Sequence, residues 1–582
     1  MNGFKITTPR HMFGPVLALL LVAGTSVAQK SEWTRFRGPN GTGISDATSI
    51  PSTWTEKDYN WTIDVPSGSS SPVVWGNRIF LAGSDAATGQ RRVTCVSTAD
   101  GSRIWQRDFP GKKYRMHRDN DFASATPCVD QHGLVLVWSS PEQLLMLALD
   151  LDGKEIWRRD LGPYKGMHGS ASSPVIVDGM VVLANDQMNP VRMRQYLPKD
   201  ASMVPGKSFL IAVDRKTGAT RWQVDRRTEL AGYATPCVRH IEGGAPELIF
   251  TGTAHGITSV DLASGTINWE ISDVFASRTV GSPQLHGDLV FASHGAGLGG
   301  QRFVAVRPTP EAGARKAELV YEVKQSVPLV PSCLVKDDLL FLWAGNGIVT
   351  CLDAATGERH WRERVGGDYY CSPVWVDKRL YCVSKQGEVR VIAAAKTFKS
   401  LAKVALGERA FAVPAIANDV MYLRTQSRLF SLGGAELATG NLAKSATLTA
   451  SSLQVKWEGE GPVEAVVDGN LKTRWSTAFA DDSVTERDLA GDNAQHLTLD
   501  FGKSIQMRKV VLHWETAAAA RFDLLISDDG ISWHKAASKT DGPKGPRADS
   551  IDLTDAQGQY LKLDLHERAT KYGYSLYEIE VH

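Results

Sequence analysis

Apolar residues fall along this chain in short β-branched runs, each closed by a tight polar turn and followed by another apolar run. Val73-Val74-Trp75 turns at Gly76-Asn77 into Ile79-Phe80. Val175-Ile176-Val177 turns at Asp178-Gly179 into Met180-Val181-Val182, and the run after Pro283 turns at Gly287-Asp288 into Leu289-Val290. Runs of this length bounded by Gly, Asn and Asp predict strands paired as hairpins. A second phrase alternates with the first: Gly101-x3-Trp105, Gly153-x3-Trp157, Gly218-x3-Trp222, Gly265-x3-Trp269 and Gly357-x3-Trp361. In its fullest copies, Asp214 to Gly218 and Asp353 to Gly357, Asp opens a turn, Gly takes the left-handed position and the next strand carries Trp.

Each unit begins with a proline, preceded in most by Ser or Thr. These prolines are 72, 127, 174, 236, 283, 331, 373 and 414, giving eight units of two hairpins each. Four strands per unit, repeated at this period, predict a β-propeller blade. The last unit ends at Leu432 without a Trp strand, whereas Asn60-Trp61-Thr62-Ile63 lies ahead of the first proline. That strand is expected to complete the eighth blade and remove the open sheet edges. Trp61, Trp105, Trp157, Trp222, Trp269 and Trp361 are expected to dock blade against blade. Each buries ~150 to 250 Å², worth roughly 4 to 6 kcal/mol before entropy at ~25 cal/mol/Å². Tyr321 replaces one Trp, and the segment around Lys403 has neither Gly nor Trp.

Composition agrees with a large all-β core: 582 residues, 42% hydrophobic, with 53 Gly, 26 Pro and 16 Trp. Lys+Arg 65 against Asp+Glu 64 leaves a net charge of +1, which provides no overall field for nucleic acid or an anionic membrane. Lys5, Arg10 and His11 precede the apolar run Val16 to Ala23, and Ser26-Val27-Ala28 supplies small residues for cleavage. A signal peptide over residues 1–28 is expected, cut after Ala28, with an extracytoplasmic product that carries no transmembrane segment. The seven Cys (95, 128, 237, 333, 351, 371, 382) lie mostly in apolar runs without a C-x-x-C and read as small buried hydrophobes.

The Asp-x3-Gly-x3-Trp and Ser-Pro phrases resemble the tryptophan-docking, pyrroloquinoline-quinone-type propeller repeat. Trp33-x2-Phe36-Arg37-Gly38-Pro39-Asn40-Gly41 is similar to the leader of its bacterial secreted members. The resemblance covers residues 33–434 and implies an eight-bladed propeller, a fold shared by quinoprotein dehydrogenases and by non-catalytic scaffolds such as the outer-membrane assembly lipoprotein. The dehydrogenases carry an adjacent Cys pair stacked on the quinone, and this sequence has no two adjacent Cys. Bound quinone is therefore not expected. Loops between a Trp strand and the next Pro should gather on one face. There His117, His168, Arg278, Tyr369 and Tyr370 are candidate ligand contacts, and the Lys112 to Arg118 run reads as a solvated loop. An insertion at Gln187 to Lys207 is expected to cover part of a face.

After Gly433-Gly434 the pattern changes. Asn441-Leu442-Ala443, Asp468-Gly469-Asn470-x2-Thr473-Arg474-Trp475, Leu497 to Gly502, Trp514-Glu515, Ser527 to Gly530 and Tyr572 to Glu578 follow in order. They resemble the coagulation-factor five/eight type C, or discoidin, domain over residues 441–582, joined by a linker at 435–440. The resemblance implies an antiparallel β-sandwich whose end loops bind glycans or other surface ligands. It also implies one structural Ca²⁺ held by Asp468, Asn470, Thr473 and Glu578, with carbonyls of Ala465 and Tyr577. Oxygen donors around a tight turn suit that ion. Trp457 is the leading sugar-stacking candidate, followed by His513 and Arg568, while Trp475, Trp514 and Trp533 are expected in the core. The chain is expected to be a monomeric, non-catalytic scaffold that binds a glycan or cell-surface ligand through this domain, and possible protein partners through its propeller face. The alternative is a divergent quinoprotein alcohol or sugar oxidoreductase.

Overall fold

The computed structural model describes residues 32–582 apart from 198, 200, 201, 228, 229, 298, 312, 313, 435–440, 457, 458 and 479–489. The leader, the linker and Trp457 lie outside the described residues. The chain divides into two compact units, Met1–Gly433 and Gly434–His582.

The first unit holds eight sheets, blades 1 to 8 in the order of their prolines, each of four antiparallel strands, with a short fifth strand added in parallel to blade 7. In every blade the strand following Pro is innermost and only three residues long, as in Val73–Trp75 and Cys237–Arg239. Blade 8 takes three strands from 415–433 and its fourth from Tyr59–Asp64, which pairs antiparallel with Arg428–Gly433. The ring closes through the N-terminal strand, as the unpaired Trp61 phrase predicted.

The prolines mark a hydrogen-bonded ring. The residue two positions ahead of a blade's first strand, which precedes Pro in most blades and is Ser332 ahead of Cys333 in blade 6, donates its backbone N–H to the side-chain hydroxyl of the equivalent residue in the next blade at five of the blade junctions. The bonds run from Ser71 to Thr126 at 3.0 Å, Thr126 to Ser173 at 3.0 Å, Thr235 to Ser282 at 3.0 Å, Ser282 to Ser332 at 2.9 Å and Ser332 to Ser372 at 2.9 Å. Val413 closes the circle onto Ser71 Oγ at 2.9 Å. Val413 itself offers no hydroxyl, so the ring cannot continue from Ser372. These are buried N–H groups at strand starts, where an orphan would be costly.

The tryptophans dock outward of this ring. Each indole N–H reaches a turn carbonyl of the next blade: Trp61 to Thr98 at 3.1 Å, Trp105 to Leu151 at 2.8 Å, Trp157 to Arg215 at 3.0 Å, Trp222 to Leu262 at 3.0 Å and Trp361 to Ala395 at 2.9 Å. The ring lies on the turn glycine. A Cβ on Gly218 would come 2.8 Å from the Trp157 ring, and Gly101, Gly153 and Gly265 are placed alike under Trp61, Trp105 and Trp222. Tyr321 does the same work, lying on Gly357 and donating to Ala354 at 2.8 Å. Trp269 departs from the pattern. Blade 5 replaces the Asp-x3-Gly turn with a long ladder, Gly299–Glu311 against Ala314–Val323. The buried Trp269 indole N–H consequently has no hydrogen-bond partner among the described residues.

Residues 32–50 run through the middle of the ring. Trp33 bridges Val74 in blade 1, Thr34 accepts from Val129 in blade 2, and Asn40 makes two bonds with Val238 in blade 4. Gly41 accepts from Gln284 in blade 5, Arg37 donates to Cys333 at 3.1 Å ahead of blade 6's first strand, and Ile44–Ser45 pairs parallel with Trp375–Val376 in blade 7. A single segment touches the inner strands of so many blades only by lying on the axis. Glu32 meets Gly76 and Thr48 meets Asp419, both at turns between the first two strands, so the segment fills the channel from that side. Arg37 is fully buried, and burial pulls its guanidinium down to about 10, still charged at neutral pH.

The second unit is one antiparallel β assembly built on two long ladders, Ala490–Trp514 and Arg547–Arg568. Its core is its own: Trp475, Leu499, Leu512, Trp514, Phe522, Leu563 and Ile579 are all buried. Trp475 donates to Ser452 at 3.0 Å and Trp514 to Asp549 at 2.9 Å. Trp533 is not core. It is half-exposed, with Tyr560 edge-on at 6.3 Å and Lys562 Nζ 3.9 Å from its ring centroid. It follows the Ser527–Gly530 turn rather than lying within a strand, so its side chain meets the outer face of the neighbouring ladder.

Candidate functional site

The lead-in loops of the blades meet on the face opposite Glu32, and one of them dominates. The loop into blade 2, residues 110–127, crosses to the axis, where His117 to Asn120 touch the loops of blades on both sides. On one side His168, from the blade 3 loop, lies tilted against His117 with ring centroids 4.8 Å apart and meets Tyr233 edge-on at 5.7 Å. Asn120 Oδ1 lies 2.6 Å from His168 Nδ1, and Arg278, from the blade 5 loop, donates to His168 Nε2 at 2.9 Å. Guanidinium is donor-only, so Nε2 accepts and Nδ1 carries the proton. Burial first, then the positive charges of Arg278 and His117, holds His168 down at about 3. It is a neutral hydrogen-bonding post rather than a proton carrier at neutral pH.

On the other side Asp119 is shared by three donors from blades 7 and 8. Lys385 reaches Oδ2 at 3.0 Å, the Tyr370 hydroxyl donates to Oδ2 at 3.2 Å, and Arg409 reaches Oδ1 at 3.2 Å. The Asp119 side chain is 10% exposed. Burial alone would raise its pKa, but the Lys385 hydrogen bond and charge outweigh this and the carboxyl is lowered. Tyr370 is pushed up to about 12 by burial and by the Asp119 charge beside it. Lys385 also lies over the Tyr370 ring at 4.4 Å and Arg409 over Phe411 at 5.1 Å. Above these groups is an open cleft of about 460 Å³ lined by Arg118, Asp119, Asp368, Lys385, Gln386 and Arg409.

The structure therefore gathers His117, His168, Arg278 and Tyr370 at one mouth. It does not bring Tyr369 there. Tyr369 is fully buried and meets Trp343 edge-on at 5.3 Å, because successive residues of the extended loop point to opposite sides and Tyr370 takes the outward one. Asp119 and Lys385 were not singled out from sequence, since their partners lie more than 250 residues apart. The insertion after Gln187 packs on the blade 3 loop: Lys165 Nζ donates to Ser202 at 3.0 Å and to Val204, and Met188 packs with Ala231 and Tyr233. It covers part of the same face. All seven cysteines are buried and free.

In the second unit the Asp468-Gly469-Asn470 turn is closely bonded. Asp468 accepts from Asn470 N at 2.8 Å and from the Thr473 hydroxyl at 2.6 Å, and that hydroxyl also lies 2.9 Å from the Asn470 carbonyl. Glu578, 4% exposed, accepts from Gly469 N at 3.1 Å and Asn441 Nδ2 at 3.2 Å. Burial, and secondarily the Asp468 charge, raises its pKa. Two carboxylates thus face one turn with hydroxyl and carbonyl oxygens between them. Ala465 is buried in the preceding turn and Tyr577 adjoins Glu578 on the last strand. Among the described residues no three His, Cys, Asp or Glu side chains come together as a metal cluster, at this turn or elsewhere.

One end of this unit is built from loops tied across each other: Gln454 to Ser476, Thr477 to Tyr574, Gly542 to Ala520 and Ala569 to Ala518. Tyr572, 47% exposed, stands there. Arg568 sits at the same end but is buried, at 6% exposure, so it supports the loops instead of lining a surface. His513 lies on a strand, 2.8 Å from Glu580.

The family described as F5/8 type C domain matches residues 447–579. The family described as outer membrane protein assembly factor BamB matches residues 89–331 and 324–459. A curated relative, the outer membrane protein assembly factor BamB of Alkalilimnicola ehrlichii, is 30% identical over 161 residues, 27% of this chain and 33% of that protein. The match thus spans about a third of the relative's length. Among solved structures, the quinohemoprotein alcohol dehydrogenase of Comamonas testosteroni superposes with a TM-score of 0.51 at 12% identity, over 75% of this chain and 84% of that one. That likeness is one of fold. Chitosan-binding module 1 from a chitosanase/glucanase of Paenibacillus sp. IK-5 is 31% identical over 24% of this chain and 98% of the module, with a TM-score of 0.21. Among the described residues no helix is long and apolar enough to cross a membrane. With more than half of its residues matched, and with an eight-bladed ring ahead of an F5/8 type C domain, the chain belongs to the family described as outer membrane protein assembly factor BamB.

Proposed function

We propose that this protein is an extracytoplasmic binding platform without catalytic chemistry, in which the discoidin domain attaches a propeller to a glycan-bearing surface. The observation that carries the reading is the filled axis. Residues 32–50 occupy the channel from one side and His117 to Asn120 close it from the other, with His168, Arg278, Asp119 and Lys385 spending their hydrogen bonds on one another. Polar groups committed in this way rigidify a surface; they leave no poised base beside a nucleophile. The BamB family membership and the leader read from residues 1–28 support the compartment. Purified protein incubated with pyrroloquinoline quinone and Ca²⁺ is expected to give no dye-linked oxidation of alcohols or sugars. Turnover that vanishes when the quinone is omitted would overturn the proposal.

For the discoidin domain, Asp468, Asn470, Thr473 and Glu578 form an all-oxygen donor set, which fits Ca²⁺ rather than a transition metal. The raised Glu578 carboxyl is what a cation between it and Asp468 would reverse. Glycan binding is assigned to the loop end that presents Tyr572, an exposed ring of the kind that stacks on a sugar face.

A further inference from the structure

The propeller's open face carries a second hollow beside the Asp119 cleft. It measures about 330 Å³, and Lys113, Arg115, Met116 and His117 are among the residues lining it. Arg118 lines both hollows, so they form one groove with the exposed Arg118 at its waist. The carboxylates along the groove are largely committed. Asp119 is shared by Lys385, Tyr370 and Arg409, and Asp121 accepts from Ala123 N at 2.7 Å and from the Ser69 hydroxyl. The cations are less so. Arg118 has no ion-pair partner among the described residues, and the Arg409 side chain remains 53% exposed while donating one N–H to Asp119. On a chain whose net charge is +1, this groove is a local concentration of positive charge.

Its remaining chemistry is amphipathic. Tyr114 and Phe122, edge to face with ring centroids 5.1 Å apart, line the second hollow and supply apolar surface of the kind that meets the C–H face of a sugar ring. Asp368 and Gln386 hold each other only at 3.5 Å, leaving an acceptor and a donor able to turn to hydroxyls. An acidic peptide would more naturally seek a free strand edge or an apolar anchor pocket, and this groove is walled by loop side chains.

We propose that this groove binds an anionic polysaccharide, with Arg118 and Arg409 pairing to its carboxylate or sulfate groups and Tyr114 and Phe122 meeting its rings. The site is separate from the discoidin domain and does not depend on how that domain is read. The test uses the full chain and measures binding to polygalacturonate and to dextran sulfate, with dextran and polyglutamate alongside. Binding to at least one anionic polysaccharide, and not to dextran, is expected, weakening as salt rises because exposed charge pairs are screened. The two anionic arms distinguish carboxylate from sulfate. The double substitution Arg118→Glu/Arg409→Glu should weaken binding by about tenfold or more. Arg118→Gln, which leaves the Asp119 contacts intact, should weaken it by a smaller factor, and Arg103→Glu on the outer strand of blade 1 should leave it unchanged. Unaltered binding by a folded Arg118→Glu/Arg409→Glu protein overturns the proposal, as does equal or tighter binding of polyglutamate. Loss of binding in Tyr572→Ala alone also overturns it, by moving the site to the discoidin domain. Absence of binding to either anionic polymer overturns it while leaving the discoidin reading untouched.

Discussion

At the scale of single residues, the docking tryptophans act through contacts that were legible in sequence, because ring and turn glycine recur at a fixed offset. Trp157 is 8% exposed and both stacks on Gly218 and donates to Arg215. Trp157→Ala is expected to cost about 3 to 5 kcal/mol, measured as a lowered chemical-denaturation midpoint. Gly218→Ala should also destabilise, since its φ of 71° disfavours a side chain and the Cβ would strike the ring. The open-face residues were less legible. Met116-His117 and Met167-His168 repeat one dipeptide ahead of two successive units, but nothing local announces that Arg278, 110 residues further on, donates to His168 Nε2. His168 makes a pH prediction. Its folded value of about 3 lies below the unfolded 6.5, so the unfolded chain takes up a proton that the folded site refuses. Its contribution is therefore intact above pH 6.5 and is lost as pH falls from there towards 3. His168→Gln should flatten that part of the stability-versus-pH curve relative to the parent; an unchanged slope would mean the imidazole is not held neutral.

At the scale of elements, the small-residue-Pro phrase was visible as punctuation, and its purpose was not. Only the closed ring brings these Ser and Thr residues beside their counterparts one blade on, at sequence separations of 40 to 55 residues. Ser332 both accepts from Ser282 and donates to Ser372, so Ser332→Ala leaves a buried N–H without an acceptor. A loss of about 1 to 3 kcal/mol is expected, whereas Ser332→Thr should restore most of it. The N-terminal segment shows the same limit. Trp33 to Gly41 was recognisable as a leader phrase, but its seat in the channel depends on inner strands from across the ring that have no sequence mark beyond the prolines. Blade 5 illustrates the converse: Tyr321 in place of Trp is visible in the sequence, and the long ladder that replaces the Asp-x3-Gly turn, which is not, explains why the Trp269 indole has no hydrogen-bond partner among the described residues.

At the scale of the whole molecule, two compact units with separate cores carry separate chemistries. The discoidin boundary was legible because its motifs change abruptly after Gly434, and the ligand-facing loops were not, because loop ends carry no periodicity to read. Ca²⁺ is expected to raise the melting temperature of the discoidin transition in differential scanning calorimetry and EDTA to lower it, since an ion bound only by the folded state stabilises it by mass action. In Glu578→Gln that calcium-dependent shift should be largely lost. The proposed role rests on attachment, and the most direct measurement is a screen of neutral glycans and polysaccharides with the full chain in Ca²⁺, repeated with Tyr572→Ala. The account predicts binding to a defined glycan set that the variant loses while remaining folded. A folded parent protein that binds no glycan, or a Tyr572→Ala protein that binds the same set equally well, would contradict it.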